Sequence, residues 1–154
     1  MKRQKKILVV GDDGAVRREL KRALAGEGYC VRAAADGAAA LQAARTGPPD
    51  LVLLDLKQRD GNAWDLFGRL IRKWPSLPVV VITGKPNQLF TALAAGVGAL
   101  LEKPLQVPKT LQTISHLLRE SVETRLARTA GKIARFHYLP AWGSAPAYGA
   151  GAAG

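Results

Sequence analysis

Several polar side chains in this sequence of 154 residues could perform chemistry together, because each stands at the end of a short apolar run. They are Asp12 and Asp13 after KILVV, Asp55 after LVLL, Thr83 at the end of VVVIT, and Lys103 after the run ALL and Glu102. Clustered carboxylates attract a hard divalent cation, whereas lysine and threonine suit the binding of phosphoryl oxygens. No Ser–His or Cys–His pair is placed for acyl transfer. This set of residue types therefore favours phosphoryl chemistry.

The elements that position these side chains are five apolar, strand-like runs that alternate with amphipathic helical patterns over about 115 residues. The strand-like runs have no polar alternation, which is typical of strands buried on both faces. This pattern predicts an α/β fold with a parallel sheet between two helix layers. The carboxyl ends of parallel strands share one edge, so we expect the acids, the threonine and the lysine to meet there.

Composition and charge exclude several classes of protein. With 47% hydrophobic and 23% charged residues the chain is globular, and one cysteine excludes a disulfide scaffold and a cysteine-rich metal module. The net charge is +11, but the basic residues are scattered and no aromatic residues interleave with them. Nucleic acid is therefore the less favoured partner. No apolar run reaches the roughly 18 residues of a membrane span, so we expect a cytoplasmic protein without membrane insertion.

Four stretches in order, KILVVGDDGAVRREL, DLVLLDL, PVVVITG and AGVGALLEKPL, resemble the receiver domain of two-component response regulators. The resemblance spans about residues 5–120. Each stretch is weak evidence alone, but the ordered set is specific. The resemblance implies a flavodoxin-like, doubly wound (βα)5 fold, with a five-stranded parallel sheet in the order 2-1-3-4-5.

The resemblance also implies a role for each polar residue. Asp55 is the expected phosphoacceptor, which receives a phosphoryl group from a sensor histidine kinase or phosphotransfer protein. Asp12, Asp55 and the backbone carbonyl of Lys57 are the expected Mg²⁺ ligands. Thr83 is expected to hydrogen-bond the aspartyl phosphate, and Lys103 to pair with it. Such a protein is not an enzyme beyond its own phosphorylation and dephosphorylation.

Several positions depart from the family pattern. Gly11 stands in the slot of the first of two acids and Asp12 in the second, so an acid restored at position 11 is expected to tighten Mg²⁺ binding. Asp13 fits the N-cap of the next helix, but a one-residue bulge could instead make Asp12 and Asp13 the metal-binding pair. Arg59 and Ala63 replace the usual proline and glycine after the phosphoacceptor.

Leu100 stands where the family has a switching tyrosine or phenylalanine. Our main hypothesis is a stand-alone receiver that is phosphorylated on Asp55 and signals by binding another protein. Gly11 and Leu100 favour an alternative, a degenerate receiver that acts as an interaction module without phosphate. A third hypothesis is a basic nucleic-acid-binding protein, which would lose affinity steeply with salt.

We divide the chain into a receiver at 1–120, a helical and aromatic extension at 121–140, and a Gly/Ala-rich tail at 141–154 that is expected to be mobile. The residues after 120 are too few for a standard DNA-binding effector domain. An apolar stripe is predicted to prolong the last receiver helix and to pack on the receiver or on a second copy, forming a homodimer. Its members are Val122, Leu126, Ala130 and Ile133.

Overall fold

A computed structural model describes residues 3–58, 61–132 and 135–143 of the chain. The described residues form one six-stranded sheet in the order β2-β1-β3-β4-β5-β6, and every neighbouring pair is parallel. The strands are β1 (Lys6–Val10), β2 (Cys30–Ala34), β3 (Leu51–Asp55), β4 (Val79–Thr83), β5 (Ala99–Glu102) and β6 (His137–Leu139). The predicted fold class and the order of the first five strands are confirmed, and a sixth strand is added.

A helix follows each of the first five strands, and a sixth helix precedes β6. The helices are α1 (Gly14–Gly26), α2 (Gly37–Thr46), α3 (Ala63–Lys73), α4 (Leu89–Ala95), α5 (Val107–Leu118) and α6 (Val122–Thr129). Side-chain caps begin three of them, because Asp13, Asp36 and Ser121 each accept a bond from a backbone N–H in the first turn. Among the described residues, no helix has the length and apolarity that a membrane span requires.

Two apolar layers cover the sheet, one on each face. The first packs α2, α3 and α4 on the sheet through residues that include Leu8, Val52, Leu54, Phe67 and Leu70. The second packs α1 and α5 through residues that include Ile7, Val9, Leu20, Leu53 and Ile114. All five residues of β3 and of β4 are buried, as the absence of polar alternation predicts. These two central strands therefore hold their carboxyl ends in fixed positions.

The C-terminal extension differs from the prediction. Helix α5 ends at Leu118, and a separate helix, α6, starts after Ser121 instead of prolonging its stripe. Val122 and Leu126 are 52% and 42% exposed, whereas Arg128 on the same helix is only 6% exposed. Val122 and Leu126 therefore do not pack on the receiver, their packing on a second copy stays a prediction, and Ile133 lies outside the described residues.

Arginine side chains, and not the apolar stripe, attach α6 to the rest of the domain. The Arg128 guanidinium pairs with the Glu120 carboxylate and donates a 3.0 Å bond to the Arg135 carbonyl. Arg125 donates to the carbonyls of Leu117 and Leu118 at the end of α5. These bonds satisfy helix-end carbonyls and a buried carboxylate, so the basic face of α6 turns inward and its apolar face turns outward.

Strand β6 extends the sheet beyond β5. Its residues pair in parallel register, with Leu100 opposite Tyr138 and Leu101 opposite Leu139. Leu139 is 8% exposed and joins the apolar layer of α1 and α5. The stretch that was predicted to be a helical and aromatic extension therefore ends in a short strand, which covers the edge that β5 would otherwise expose.

Candidate functional site

The carboxyl edge of the sheet brings the predicted site residues together. Asp55 is the last residue of β3 and is 3% exposed, and Thr83 is the last residue of β4 and is fully buried. Lys103 directly follows β5, while Asp12 and Asp13 lie in the loop between β1 and α1. The parallel arrangement thus gathers polar groups from four strands, as the pattern of apolar runs predicts.

Lys103 is the central cation of this site. Its Nζ lies 2.7 Å from Asp55 Oδ2 and donates a hydrogen bond of 3.1 Å to Asp13 Oδ2. Its backbone N–H donates to the carbonyl of Thr83 at 2.8 Å, which fixes the lysine beside the end of β4. The ammonium group therefore offsets the charge of two carboxylates at once.

The two oxygens of Asp55 have different surroundings. Oδ1 accepts a 2.9 Å hydrogen bond from the backbone N–H of Lys57. Oδ2 is buried, and its contact with Lys103 is close enough for an ion pair but lacks the angles of a hydrogen bond. Within the part of the chain that the structure describes, Oδ2 therefore has no hydrogen-bond donor. Such an oxygen keeps lone pairs available for an electrophile or a cation.

Asp13 uses both of its carboxylate oxygens within the protein. Oδ1 accepts from the backbone N–H of Val16 at 3.2 Å and caps α1, which confirms the predicted N-cap. Oδ2 accepts from Lys103, a contact that the sequence did not predict. The Val16 N–H, together with the weaker effect of Lys103, lowers the pKa of Asp13 below its ordinary value. Both oxygens of Asp13 are thus engaged within the protein.

Asp12 is joined to the end of β3 through the main chain. Its backbone N–H donates to the carbonyl oxygen of Lys57 at 2.9 Å. The Lys57 N–H in turn donates to Asp55, so the first loop and the phosphoacceptor candidate form one connected unit. The family resemblance implies the Lys57 carbonyl at this site, but it does not predict that this carbonyl accepts a bond from Asp12.

The site offers few side-chain donors to a metal ion. The described residues contain no group of three or more His, Cys, Asp or Glu side chains that could hold a metal ion. Mg²⁺, however, usually keeps several waters and takes only one or two carboxylates from the protein. The orphaned Oδ2 of Asp55, the Asp12 carboxylate and the Lys57 carbonyl fit such a partly hydrated ion.

Gly11 lies against the phosphoacceptor candidate. A Cβ atom built on Gly11 would lie 2.5 Å from Asp55 Cβ and 3.3 Å from Asp55 Oδ2. The Gly11 backbone is also held in place, because its N–H donates to Ala34 at 3.0 Å and its carbonyl accepts from Arg17. An acid at this position needs the ends of β1 and β3 to move apart. The prediction that such an acid tightens Mg²⁺ binding considered only the added charge and not this steric contact.

Thr83 is oriented by the loop that follows it. Its Oγ1 accepts a 2.9 Å bond from the backbone N–H of Lys85. The strand register pairs Asp55 with Ile82, so Thr83 stands one residue beyond Asp55 on the neighbouring strand. The hydroxyl proton can rotate towards a group bound at the end of β3.

Tyr138 of β6 belongs to the aromatic extension that the sequence predicts to form an interface, but its contact with the candidate site was not predicted. It pairs in register with the buried Leu100, and its hydroxyl donates a 2.9 Å bond to Glu102, the residue before Lys103. Two further bonds join the same regions, from Trp142 N–H to the Pro104 carbonyl and from the Gln106 side chain to the Pro140 carbonyl. The only sequence signal for this aromatic residue was its place in the run FHYL.

A cavity of about 520 Å³ opens beside the site between α1 and the loop after β5. Its lining includes Asp13, Val16, Lys103 and Pro104. Lys103 and Asp13 are therefore the residues of the site that face this cavity.

Comparisons with known proteins agree with this geometry. The response regulator receiver domain family matches residues 7–115. The chain is 36% identical over 117 residues to the DNA-binding transcriptional regulator NtrC of Rhizobium meliloti, which covers 74% of this chain and 24% of that protein. It is 34% identical over 118 residues to the response regulator MprA of a Mycobacterium species, covering 75% of this chain and 51% of the relative. The chain thus spans about a quarter to a half of these relatives.

Solved structures resemble the same part of the chain. The receiver domain of NtrX from Brucella abortus has a TM-score of 0.69 at 31% identity, and the match covers 75% of this chain and 99% of that one. A CheY-like receiver domain protein from Methanospirillum hungatei has a TM-score of 0.71 at 29% identity, with coverage of 75% and 94%. The family match, the parallel fold and the gathered site residues lead to one conclusion: the chain belongs to the response regulator receiver domain family of two-component systems.

Proposed function

We propose that this chain accepts a phosphoryl group on Asp55 from the phosphohistidine of a sensor kinase or phosphotransfer protein. One observation carries the proposal: Asp55 Oδ2 is buried at the end of β3 and lies 2.7 Å from the Lys103 ammonium. A carboxylate oxygen is a nucleophile for phosphorus. The negative charge of the resulting aspartyl phosphate would already have the Lys103 ammonium beside it.

Charge and bonds balance in the proposed transfer. Asp55 Oδ2 attacks phosphorus, an O–P bond forms, and the N–P bond of the donor histidine breaks with its electron pair returning to the imidazole. Lys103 pairs with the phosphoryl oxygens, and the rotated Thr83 hydroxyl donates a hydrogen bond to them. Catalysis by the chain then consists of positioning and charge stabilisation.

Receiver domains generally bind Mg²⁺ at the phosphorylation site. In this chain the carboxylates of Asp12 and Asp55 and the carbonyl of Lys57 would hold the ion. When bound, Mg²⁺ supplies positive charge that neutralises the transferring phosphoryl group. Gly11 provides no carboxylate, so we expect weaker Mg²⁺ affinity than in receivers with both acids.

We further propose that the output is binding to another protein in the cytoplasm. Three hydrogen bonds, from Tyr138, Trp142 and Gln106, tie the C-terminal segment to the loop that carries Lys103. A phosphoryl group draws Lys103 away from Asp13, and the movement reaches β6 through these bonds. Tyr138, which pairs with Leu100, then supplies the aromatic side chain that position 100 lacks.

A degenerate receiver that never uses phosphate is the second candidate. The contact between Gly11 and Asp55 favours it, because one metal-binding acid is absent and has no room. The Lys103 ammonium also neutralises Asp55 in the absence of phosphate. An interaction module of this kind would keep the fold and lose the chemistry.

The deciding experiment is incubation with Mg²⁺ and acetyl phosphate, read by intact mass and peptide mapping. We expect one phosphoryl group on the natural chain and on Asp65→Asn, a control whose carboxylate is exposed on α3. We expect none on Asp55→Asn, and none when EDTA removes the metal. Absence of an adduct on the natural chain, also with a phosphorylated histidine donor, supports the degenerate receiver. An adduct that survives Asp55→Asn overturns the assignment of Asp55.

A further inference from the structure

A second concave site lies on the edge of the sheet opposite Asp55. Helices α2 and α3 both end there, at Thr46 and Lys73, because they run antiparallel to the strands that they connect. A cleft of about 320 Å³ opens between the two helix ends, within the size range of small-ligand sites. Its lining consists of Leu41, Arg45, Arg69, Arg72, Lys73 and Trp74.

Four of the residues that line the cleft carry positive charge, and most of that charge has no acidic partner. Arg69 pairs with Asp65 at 3.1 Å, but both side chains are more than half exposed, so the pair is weak. In the ranges 3–58, 61–132 and 135–143, no acid forms an ion pair with Arg45, Arg72 or Lys73. The cleft is therefore a concave surface with an excess of positive charge.

Helix dipoles explain only part of this charge. Basic residues commonly stand in the last turn of a helix, where the backbone carries about half a unit of negative charge. The ends of α2 and α3, together with Asp65, offset roughly two of the four positive charges. The remaining cations line the same cleft although they repel one another. Stabilisation of the two helix ends does not require this arrangement.

The floor and the rim of the cleft differ in chemistry. Leu41 and the partly buried Trp74 form an apolar floor, and Lys73 Nζ lies 5.5 Å from the centroid of the Trp74 ring. The arginines form the rim, and their planar guanidinium groups bind phosphate oxygens in pairs. We infer that this cleft binds a phosphate-bearing ligand. The phosphate comes from a free nucleotide or from the backbone of a single-stranded nucleic acid.

The test measures binding to the full chain by calorimetry at low salt and without Mg²⁺. The probes are inorganic pyrophosphate, ATP and a short oligothymidylate. The cleft variant is Arg45→Gln/Arg72→Gln/Lys73→Gln. The matched control is Arg18→Gln/Lys21→Gln/Arg22→Gln, which removes the same number of charges from exposed positions on α1. We expect the cleft variant to lose affinity by about tenfold or more and the control to keep it.

Each outcome decides the inference. Saturable binding of any probe that depends on the cleft supports it, and the preferred probe identifies the source of the phosphate. Equal losses in the two triple variants mean that net charge alone attracts the anion, and they overturn the inference. Failure of all three probes to bind the natural chain also overturns it. Asp55→Asn leaves the affinity unchanged, because the cleft lies at the opposite edge, so this test is independent of the proposed phosphorylation.

Discussion

A Cβ atom on Gly11 would lie 2.5 Å from the Cβ atom of Asp55, closer than two such carbons can approach. The end of β1 thus packs directly on the phosphoacceptor candidate. This contact gives a physical reason for glycine at the position where the family usually has an acid. The stability of variants at position 11 therefore reports how closely the ends of β1 and β3 pack.

We expect Gly11→Ala to lower the free energy of unfolding by about 1–3 kcal/mol, the usual cost of overpacking a well-packed site. Urea denaturation measures the change. Gly26→Ala is the matched control, because a Cβ there meets nothing within 4 Å and alanine is the better residue in a helix. Gly11→Asp adds a carboxylate to the same clash, so we expect it to be at least as destabilising without Mg²⁺. Equal stabilities of Gly11→Ala and the natural chain would contradict the described contact.

The second prediction concerns the ion pair of Lys103 and Asp55, whose side chains are 17% and 4% exposed. Lys103→Met leaves two carboxylates without their cation, so we expect a loss of about 1–3 kcal/mol, below the ~3–5 of a fully buried pair. Asp55→Asn leaves Lys103 paired with Asp13 and is expected to cost less. A double-mutant cycle at pH 7 measures the coupling. Additive effects of the two substitutions would mean that the ion pair contributes nothing.

The third prediction concerns pH and His137. Burial, followed by the neighbouring Arg135 and His116, lowers the pKa of His137, whereas Glu120 acts in the opposite direction. The unfolded chain therefore binds a proton at a higher pH than the folded chain does. Stability is expected to fall as pH decreases below the ordinary histidine pKa of about 6.5.

Urea denaturation between pH 7.5 and 5 tests this expectation. His137→Asn should flatten the pH dependence, because it removes the group whose protonation the fold opposes. Arg128, which also lowers the pKa of His137, is present in both chains and so does not distinguish them. An unchanged slope in the variant would assign the effect to other groups.

The fourth prediction concerns removal of residues 121–154. The deletion uncovers the edge of β5 and leaves Glu120, which is 11% exposed, without its Arg128 partner. We expect Tm to fall by about 5 °C or more, since a domain of this size loses roughly 2–4 °C per kcal/mol. We also expect association that increases with concentration, because an open strand edge pairs with other chains. Identical melting and sedimentation for the truncated and full chains would mean that the extension has no structural role.

Much of the fold could be predicted because its signals are local. The runs KILVV, LVLL and VVVIT contain only residues that suit a fully buried strand, apart from the first lysine, and the parallel sheet follows from their alternation with helices. Parallel topology then gathers Asp55, Thr83 and Lys103, whatever the details of their contacts. Asp13 could be assigned as a helix cap because capping depends on neighbours only three residues away.

What could not be predicted depends on contacts between distant parts of the chain. The bond from Lys103 to Asp13 joins residues 90 positions apart, and no periodicity reports it. The three residues of β6 are too few to give a strand signal, and their pairing with β5 stabilises them. In α6 the apolar stripe was a misleading signal, because the Arg128–Glu120 pair determines which face turns inward.

Because β6 runs parallel to β5, the main chain leaves the domain at the same edge as Asp55, with Trp142 bonded to Pro104 beside Lys103. A chain that ended with α5 would leave at the far edge. A peptide fused to this chain directly after Gly143 would therefore start next to the candidate phosphoacceptor, at a high effective concentration. If Asp55 exchanges a phosphoryl group as proposed, such a fusion would compete with the partner protein for the same edge of the sheet.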